Sequence, residues 1–494
     1  MPLFAGIDLG TTTIKLLIVN EKGDLIVSEN CEYEIQISNA GYAEQNPEDW
    51  SNALEKILYK ASKQCSFKEI LSIGFSGQMH GIVLLDKDCK VLRPCIIWMD
   101  QRTEKESKEI TEIAGEDLLK NELLNKPVAG MFMSSLLWIK RNEKEIYEKT
   151  SFAISPKDYI RFYLTGEIYT DETDASATMA FSVKNKKWAD ELFDKLEIDK
   201  GIFPKVLKPY QNGGKIKKYF AEKYNFDKDV YVALGAGDSA MQLLGNGITK
   251  KGVVTSNIGT ASQVATVVEA PIYDKSMRLQ TWCYVEENLW YIQGGSLSGG
   301  RSLKWLKTNV LENKYSYSEL DRLAFFSKAG ADGLIFLPYL SAERTPFLNP
   351  SAKGCFFGLT LKHSKDDMIR AVMEGVVYNL SFSLGILNKI GIKPEKIIAS
   401  GGGSKGKAWK QIQADIFSLP VYTTKAVEEA CLGAIIVGAY GAGYYSTLRQ
   451  ACDNLVKFDE DVVLPDLENS KYYRKKQELF KKIYYNNETL FKEL

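Results

Sequence analysis

The sequence predicts an α/β protein built from two domains of related design. Three observations lead to this prediction: the chain length, the alternation of strand and helix patterns, and a strand–turn–strand pattern that occurs twice. The 494 residues are enough for two to four domains of roughly 100–200 residues each. In both copies of the pattern an apolar strand runs into a Gly-Thr turn, at Gly10 and at Gly259, and a second strand follows. The turns lie 249 positions apart, so we predict one domain over 1–246 and another over 247–494. The alternative is that two hairpins resemble each other by coincidence.

The elements of the first half are predicted from short apolar runs and the turn residues that bound them. Asn46 and Pro47, followed by acidic residues, are typical of a helix start, and that helix runs through Ser62. A second helix is expected after Asp238, which follows a Gly-rich turn. The runs predicted as strands are 3–8, 14–19, 25–27, 70–75 and 229–234.

The second half is predicted in the same way. Strands are expected at 253–257, 263–268 and 396–400, and a helix ends near Phe417. The apolar run at 431–445 is shorter than the ~20 residues that cross a bilayer, and it is interpreted as a buried helix. The charged segment 468–494 is predicted to be a C-terminal helix.

Composition excludes several classes of protein. The 63 Lys and Arg residues balance 63 Asp and Glu residues, so the chain lacks the basic surplus of a nucleic-acid binder. The 8 cysteines form no Cys-x-x-Cys pair and there are only 2 histidines, which argues against a zinc site and a disulfide framework. The first residues include no basic stretch, so no secretory signal is predicted. We therefore expect a cytoplasmic protein with no membrane or nucleic-acid partner.

The first Gly-Thr turn is a candidate phosphate site. Asp8 ends the first strand and precedes Gly10, Thr11 and Thr12. A strand follows this turn, which excludes a Walker loop and a Rossmann start, because both continue into a helix. Backbone N–H groups and hydroxyls at a tight turn can hold phosphate oxygens, and a nearby carboxylate can hold Mg²⁺ through water. The alternative is an Asx-type turn. A second tip at Gly259 and Thr260 could clamp the same nucleotide.

Two further candidates lie just after predicted strands. Asp238 suits a general base in a cleft, although an N-cap is the commoner role for such an aspartate. Gln78, Met79 and His80 form a loop at a strand end, where α/β folds bind ligands. A lone loop histidine is otherwise more often structural.

The glycine run 401–406 matches Gly-x-Gly-x-x-Gly between a strand and a helix. This pattern is compatible with a dinucleotide site. However, the acidic ribose partner expected about 20 residues later is missing, because Thr423, Thr424 and Lys425 stand there. A glycine turn against which an adenosine lies explains the same residues.

Together these motifs resemble the FGGY family of carbohydrate kinases, most closely its xylulokinase branch. The resemblance covers nearly the whole chain. It is carried by the segments 8–12, 76–81, 97–102, 235–238, 258–260, 337–346, 354–359 and 401–415, with Asp367 and Glu374. It implies two actin-like (ribonuclease H-like) domains with the active site in the cleft between them, sugar on the first domain and ATP on the second.

The resemblance also implies roles for individual residues. Asp238 would be the catalytic base, and Asp8 and Asp238 would hold Mg²⁺. The sugar contacts implied are Gln78, Met79, His80, Asp100, Asp238 and Ser239. The ATP contacts implied are Gly10, Thr11, Thr12, Lys15, Gly259, Thr260, Gly401, Gly402, Gly403 and Lys405. The expected reaction is ATP-dependent phosphorylation of the terminal hydroxyl of a ketopentose, D-xylulose, by an enzyme compatible with a homodimer.

The chain departs from the family pattern at a few positions that bear on the sugar. Ser134 and Ser135 stand where Pro-Lys is usual, Met99 where Asn is common, and Ser239 where xylulokinases often have Asn. Ribulose, gluconate, glycerol and sedoheptulose therefore stay open as substrates. Two other classes also stay open: an actin-like ATPase without a sugar, and an oxidoreductase that uses the late glycine run.

Overall fold

A computed structural model describes residues 2–227 and 229–494. The elements of the first half are β1 (Leu3–Leu9), β2 (Thr13–Asn20), β3 (Leu25–Glu32), β4 (Glu44–Gln45), α1 (Pro47–Ala61), β5 (Ile70–Gly77), β6 (Val83–Leu85), β7 (Cys95–Ile96), α2 (Glu104–Leu118), α3 (Phe132–Asn142), α4 (Lys144–Lys149), β8 (Phe152–Ile154), α5 (Pro156–Thr165), β9 (Tyr169–Asp171), α6 (Glu172–Ala177), β10 (Phe181–Ser182), β11 (Lys187–Trp188), α7 (Asp190–Leu196), β12 (Lys205–Leu207), α8 (Lys218–Tyr224), β13 (Tyr231–Val232), β14 (Ala236–Gly237) and α9 (Asp238–Gly245).

The second half has the same alternation of strands and helices. Its elements are β15 (Val253–Ile258), β16 (Ser262–Val268), β17 (Gln280–Cys283), β18 (Trp290–Ser296), α10 (Gly300–Trp305), α11 (Tyr317–Phe326), β19 (Ile335–Leu337), β20 (Cys355–Phe357), α12 (Lys365–Lys389), β21 (Lys396–Gly401), α13 (Lys407–Phe417), β22 (Val421–Thr423), α14 (Glu429–Gly441), α15 (Leu448–Leu455) and α16 (Leu467–Asn487). None of the helices in the described ranges is long and apolar enough to cross a membrane.

The two main sheets share one topology. In the first, the antiparallel hairpin β1–β2 is flanked by β3 and, on its other side, by the parallel strand β5. In the second, the hairpin β15–β16 is flanked by β18 and by the parallel strand β21. The first strand of each hairpin, β1 or β15, therefore pairs with one parallel strand, β5 or β21. The two Gly-Thr turns occupy equivalent places, as their sequence pattern predicted.

Helices α9 and α14 join the two halves. Helix α14 comes from the second half but packs against β1, β5 and α9. The approach is close because Gly74 and Gly433 have no side chain: a Cβ on Gly74 would collide with the carbonyl oxygen of Ala434, and one on Gly433 with that of Met241. The domain boundary predicted between 246 and 247 stays a prediction. Helix α14 lies after this boundary in the chain but packs against the sheet of the first half.

Most predicted elements are present, and one differs. Of the strand expected at 229–234 only β13 is present, and the separate short strand β14 follows it. Gly235 lies between them with φ +83°, and a Cβ there would collide with the carbonyl oxygen of Phe75. A left-handed glycine at this place ends β13 and turns the chain so that Asp238 begins α9 at the edge of the cleft.

Candidate active site

Asp8 lies at the end of β1, beside the first hairpin tip. It is 6% exposed, and Ser76 on β5 donates a hydrogen bond of 2.7 Å from Oγ to Oδ1. Burial raises the pKa of Asp8, and the Ser76 hydroxyl and the Lys15 ammonium oppose that rise. Lys15 Nζ is 2.6 Å from Glu428 Oε2, just before α14. For Lys15 to contact a phosphate, as predicted, its ammonium group must therefore either bond to Glu428 and the phosphate together or break the ion pair with Glu428.

Asp238 is the first residue of α9. The N-cap is Gly237, so Asp238 is the first helical residue, and its carboxylate accepts from the N–H of Ser239 in the same first turn. Burial, together with the nearby charge of Asp8, raises the pKa of Asp238 to about 7, while hydrogen bonds from Ser239 oppose the rise. The Ser239 hydroxyl lies 3.4 Å from Asp238 Oδ1. A carboxyl group with a pKa near neutrality is well suited to accept a proton.

The predicted sugar loop follows β5 and is largely buried. Gln78 is 0% exposed and donates from Nε2 to Gln45 Oε1 at 2.8 Å, which leaves Gln78 Oε1 without a partner among the described side chains. Tyr291 Oη donates to Met79 Sδ at 3.6 Å. These contacts hold the loop firmly against both halves of the chain, because Gln45 and Tyr291 belong to different halves.

His80 is fixed in one orientation and one tautomer. Its Nδ1 lies 2.9 Å from the carbonyl oxygen of Ala177, which can only accept, so Nδ1 carries the proton and Nε2 is an acceptor. Burial lowers the pKa of His80 to about 4, so the ring is neutral at pH 7. His80 has φ +71°, an uncommon backbone conformation for a non-glycine residue and one found often at functional sites.

A cavity of roughly 510 Å³ separates the two halves at this place. It is lined by Asp238 and Ser239 from the first half and by Gly259 and Thr260 of the second hairpin tip. Its other polar lining residues are Gln101, Gln242, Asn257, Ser262, Gln263, Ser296, Arg301 and Arg344. The cavity thus places the candidate base opposite the second phosphate hairpin.

Asp100, a predicted sugar contact, is buried and paired with Arg102. Its side chain is 0% exposed, and both carboxylate oxygens accept hydrogen bonds from Arg102, with Oδ2 also accepting from the Ala43 N–H at 2.7 Å. Because protein donors occupy both oxygens, the sugar contact of Asp100 stays a prediction. Asp100 holds the segment whose neighbours Trp98 and Gln101 line the cavity. Trp98 Nε1 donates to the Thr11 hydroxyl at 3.0 Å, which links this segment to the first hairpin tip.

A second cavity of roughly 940 Å³ lies on the other side of the second hairpin tip. Five predicted ATP contacts line it: Gly259, Thr260, Gly402, Gly403 and Lys405. Aromatic rings of Tyr317, Phe325, Phe326 and Trp409 complete the wall. Gly401 is not part of the lining. It has φ +69°, and a Cβ on it would lie 2.8 Å from Asn257 Oδ1, so it lets the glycine turn pass close to β15. A flat adenosine fits a glycine floor beside aromatic walls better than it fits a polar pocket.

Comparison with known proteins identifies the family. The model of the N-terminal domain of the FGGY family of carbohydrate kinases matches residues 3–245, and that of the C-terminal domain matches 254–442. The chain belongs to the FGGY family of carbohydrate kinases. It is an ATP-dependent sugar phosphotransferase, which decides against the actin-like ATPase and the oxidoreductase.

Similar proteins include one sequence relative and two solved structures. Xylulose kinase from Staphylococcus epidermidis is 34% identical over 491 residues, 99% of this chain and 98% of that protein. The ligand-bound xylulose kinase of Lactobacillus acidophilus superposes with a TM-score of 0.94 at 27% identity, over 100% of both chains. The gluconate kinase of the same organism reaches 0.93 at 28% identity, over 98% of both. The predicted two-domain actin-like fold is thereby confirmed.

Sequence reasoning missed a buried ionic cluster beneath the catalytic turn. Lys157 Nζ lies 2.6 Å from Asp158 Oδ1, 3.1 Å from Asp171 Oδ2 and 3.4 Å from Asp174 Oδ2. The three carboxylates are close enough to hold a metal ion, but the ammonium group already occupies the place between them. Thr173 connects the cluster to Gly237, whose N–H donates to its hydroxyl at 2.8 Å. The cluster therefore fixes the residue that precedes Asp238.

Ser134 and Ser135, which depart from the family pattern, lie away from the cleft. Both are 0% exposed in α3, and Ser134 donates to the carbonyl oxygen of Val128 at 3.3 Å. Their substitution for Pro-Lys therefore alters the packing of a helix and leaves the cavity lining unchanged. Ser239, in contrast, lines the cavity next to the base.

Proposed function

We propose that this FGGY kinase transfers the γ-phosphoryl group of ATP to the terminal C5 hydroxyl of D-xylulose. The observation that carries the proposal is the common position of Asp238 and the Met79–His80 loop. A Cβ on Gly237 would lie 2.7 Å from Met79 Cγ, so the loop packs against the residue that precedes Asp238. His80 Nε2 is able to accept a hydrogen bond from a sugar hydroxyl, because Nδ1 carries the proton, and the thioether of Met79 offers an apolar wall. The similarity to full-length xylulose kinases supports the same sugar.

The proposed mechanism assigns different tasks to the two acidic groups. Asp238, with a pKa of about 7, removes the proton of the sugar hydroxyl as its oxygen attacks the γ-phosphorus in line. Burial raises the pKa of Asp8 as well, but the Ser76 hydroxyl and the Lys15 ammonium oppose that rise, whereas only Ser239 opposes the rise at Asp238. Environments that push two carboxyl pKa values apart separate an acid–base role from an electrostatic one. The loose transition state of phosphoryl transfer makes positioning the main contribution of the protein.

Asp8 and Asp238 would also hold Mg²⁺. Their mutual repulsion raises the pKa of Asp238, and no cation other than Lys15 lowers that of Asp8 among the described groups. This pair of buried carboxylates fits a divalent cation, which would neutralise charge on the phosphates when bound. The two hairpin tips, at Gly10 and Gly259, would hold the phosphate oxygens from opposite sides.

Gluconate is the second candidate substrate. It has six carbons where D-xylulose has five, and it carries a carboxylate and no ketone; Arg301 and Arg344, which could pair with a carboxylate, both line the cleft cavity. The similarity to a gluconate kinase of known structure favours it over ribulose, glycerol or sedoheptulose. Ser239 is consistent with either sugar, because its short hydroxyl leaves room beside the base.

A substrate panel tests the proposal. We expect kcat/KM for D-xylulose, with ATP and Mg²⁺ in excess, to exceed that for gluconate, ribulose, glycerol and sedoheptulose by about tenfold, a difference of ~1.4 kcal/mol. A larger kcat/KM for gluconate than for D-xylulose would change the proposed substrate and leave the proposed phosphoryl transfer from ATP unchanged. ADP release at the same rate without any sugar would contradict the reaction itself. A cytoplasmic location and a homodimer stay predictions of the sequence, and sedimentation analysis tests the latter.

A further inference from the structure

Arg301 is the only charged residue that lines both cavities, as far as the described lining residues show. The cleft cavity and the nucleotide cavity share Gly259, Thr260 and Arg301. Gly259 and Thr260 form the tip of the second phosphate hairpin. The boundary between the two cavities is where a phosphoryl group must pass from nucleotide to sugar. A cation is therefore present at the crossing point.

The backbone holds Arg301 at this tip. Its N–H donates to the carbonyl oxygen of Thr260 at 3.1 Å, and the Gly300 N–H donates to that of Gly259 at 2.7 Å. The preceding glycines permit the approach. A Cβ on Gly300 would lie 2.7 Å from the Gly259 carbonyl oxygen, and one on Gly299 would collide with Ala261. The start of α10 thus rests directly on the hairpin, and Arg301 keeps its position relative to the tip.

The guanidinium group has no acidic partner to neutralise it. No carboxylate oxygen in residues 2–227 or 229–494 lies within 4.0 Å of it, and it forms no side-chain hydrogen bond there. Lys15 at the first hairpin differs, because its ammonium group is paired with Glu428. Arg301 is only partly exposed, so its charge is weakly screened by solvent. A partly buried, unpaired cation between two ligand cavities is well placed to meet an anion.

We propose that Arg301 is a catalytic residue that contacts the transferred phosphoryl group of ATP. This inference rests on the proposed function. As the sugar oxygen bonds to the γ-phosphorus, the bond from that phosphorus to the bridging oxygen of ADP breaks, and Asp238 receives the hydroxyl proton. Arg301 donates N–H bonds to the oxygens of the group in transit, which carry most of the negative charge in the loose transition state. The planar guanidinium offers two parallel donors that a lysine cannot supply.

Two variants and a matched control test this role. Arg301→Gln removes the charge, and Arg301→Lys keeps it but loses the fork of donors. Arg449→Gln is the control, because Arg449 is an exposed arginine on α15 outside both cavities. An arginine that stabilises phosphoryl transfer contributes roughly 10³–10⁵-fold. We expect kcat to fall at least about 10³-fold in Arg301→Gln and less in Arg301→Lys, with the control unchanged.

Nucleotide affinity separates this role from a structural one. Calorimetry should show that Arg301→Gln weakens a non-hydrolysable ATP analogue by roughly ten- to a hundred-fold and leaves AMP affinity unchanged, since AMP lacks the terminal phosphates. Unchanged AMP affinity also shows that the variant is folded. Equal weakening of both nucleotides, or a kcat within threefold of the original, would overturn the inference. The binding experiment needs no sugar, so it tests Arg301 even if every sugar in the panel fails and the proposed reaction is wrong.

Discussion

Replacing Asp238 by Asn separates its chemical role from its structural one. Asn has nearly the same shape and suits the first turn of α9, but its amide cannot accept a proton at neutral pH. If Asp238 is the base, its loss should lower kcat by at least roughly 10²–10⁴-fold, the usual contribution of general-base catalysis. The sugar affinity should change little, because His80 and Met79 are untouched. Asp190→Asn, in the exposed first turn of α7, is the matched control.

The same substitution should make the protein more stable. Burial raises the pKa of Asp238 from 3.8 to about 7, so the folded state binds a proton more tightly than the unfolded state. Stability is therefore lost as the pH rises from about 4 to about 7, and the loss is complete above the folded pKa. At 1.36 kcal/mol per pKa unit it amounts to at most about 4 kcal/mol. Asp238 is partly exposed to the cleft, which reduces this figure.

The assay combines kinetics with denaturation. The logarithm of kcat/KM, which reports the free enzyme, should rise with a slope near one below pH 7 and level off above it. Urea unfolding of the metal-free protein in EDTA should give Asp238→Asn a higher free energy of unfolding than the original at pH 8. The two should converge near pH 4, where the carboxyl group is protonated in both states. Near-normal turnover of the variant would refute the catalytic assignment, and equal stability at pH 8 would refute the electrostatic reasoning.

Two further predictions concern the supports of the site. His80→Ala removes a hydrogen-bond acceptor and the ring that packs on Trp282. We expect kcat/KM for the sugar to fall roughly ten- to a hundred-fold while KM for ATP stays constant. Unchanged sugar kinetics would show that the loop does not contact the sugar. Lys157→Met leaves the buried carboxylates Asp158, Asp171 and Asp174 without their cation, and breaking a buried ion pair costs about 3–5 kcal/mol. Urea denaturation should show a loss of that size, and a loss below about 1 kcal/mol would contradict it.

The sequence predicted the site residues that follow strand ends, because strand ends can be read from local patterns. Asp8 lies near the end of β1, and the Gln78–His80 loop follows the end of β5. The two strands pair in parallel, with Asp8 opposite Ser76. Two neighbouring parallel strands necessarily bring their carboxyl ends together, so local signals were sufficient there. The glycine turn after β21 was found for the same reason.

Contacts that join distant segments could not be predicted in this way. Lys15 and Glu428 are 413 positions apart, and nothing near either residue indicates the other. The partners of Lys157 come from α5, β9 and α6. Asp100 was assigned to the sugar although a signal against it was present, since Arg102 follows two positions later and takes both its oxygens. Arg301 belongs to none of the sequence motifs described above. Only its place in the lining of both cavities indicates a role.

The equivalence of the two sheets explains why one fold can hold two different ligands. Strands β5 and β21 occupy the same place, each parallel to the first strand of its hairpin, with Leu9 opposite Gly77 and Ile258 opposite Gly401. The Gln78–His80 loop follows β5 and the glycine turn follows β21. The two segments therefore occupy equivalent positions in the two sheets but carry different side chains. After β5 come Gln78, Met79 and His80, which we propose supply polar and apolar contacts to the sugar.

Strand β21 ends at Gly401, and Gly402 and Gly403 follow it without side chains, which leaves an open floor for the flat base that we propose binds there. The hairpin tips, by contrast, have Gly-Thr in both domains, which agrees with the proposal that each faces phosphate. Under that proposal the residues after the parallel strand determine which ligand binds, and the turn beside it recognises phosphate. Exchanging side chains in the Gln78–His80 loop should consequently alter sugar preference without altering KM for ATP. A parallel loss of ATP affinity in loop variants would show that the two functions are not separable at this strand end.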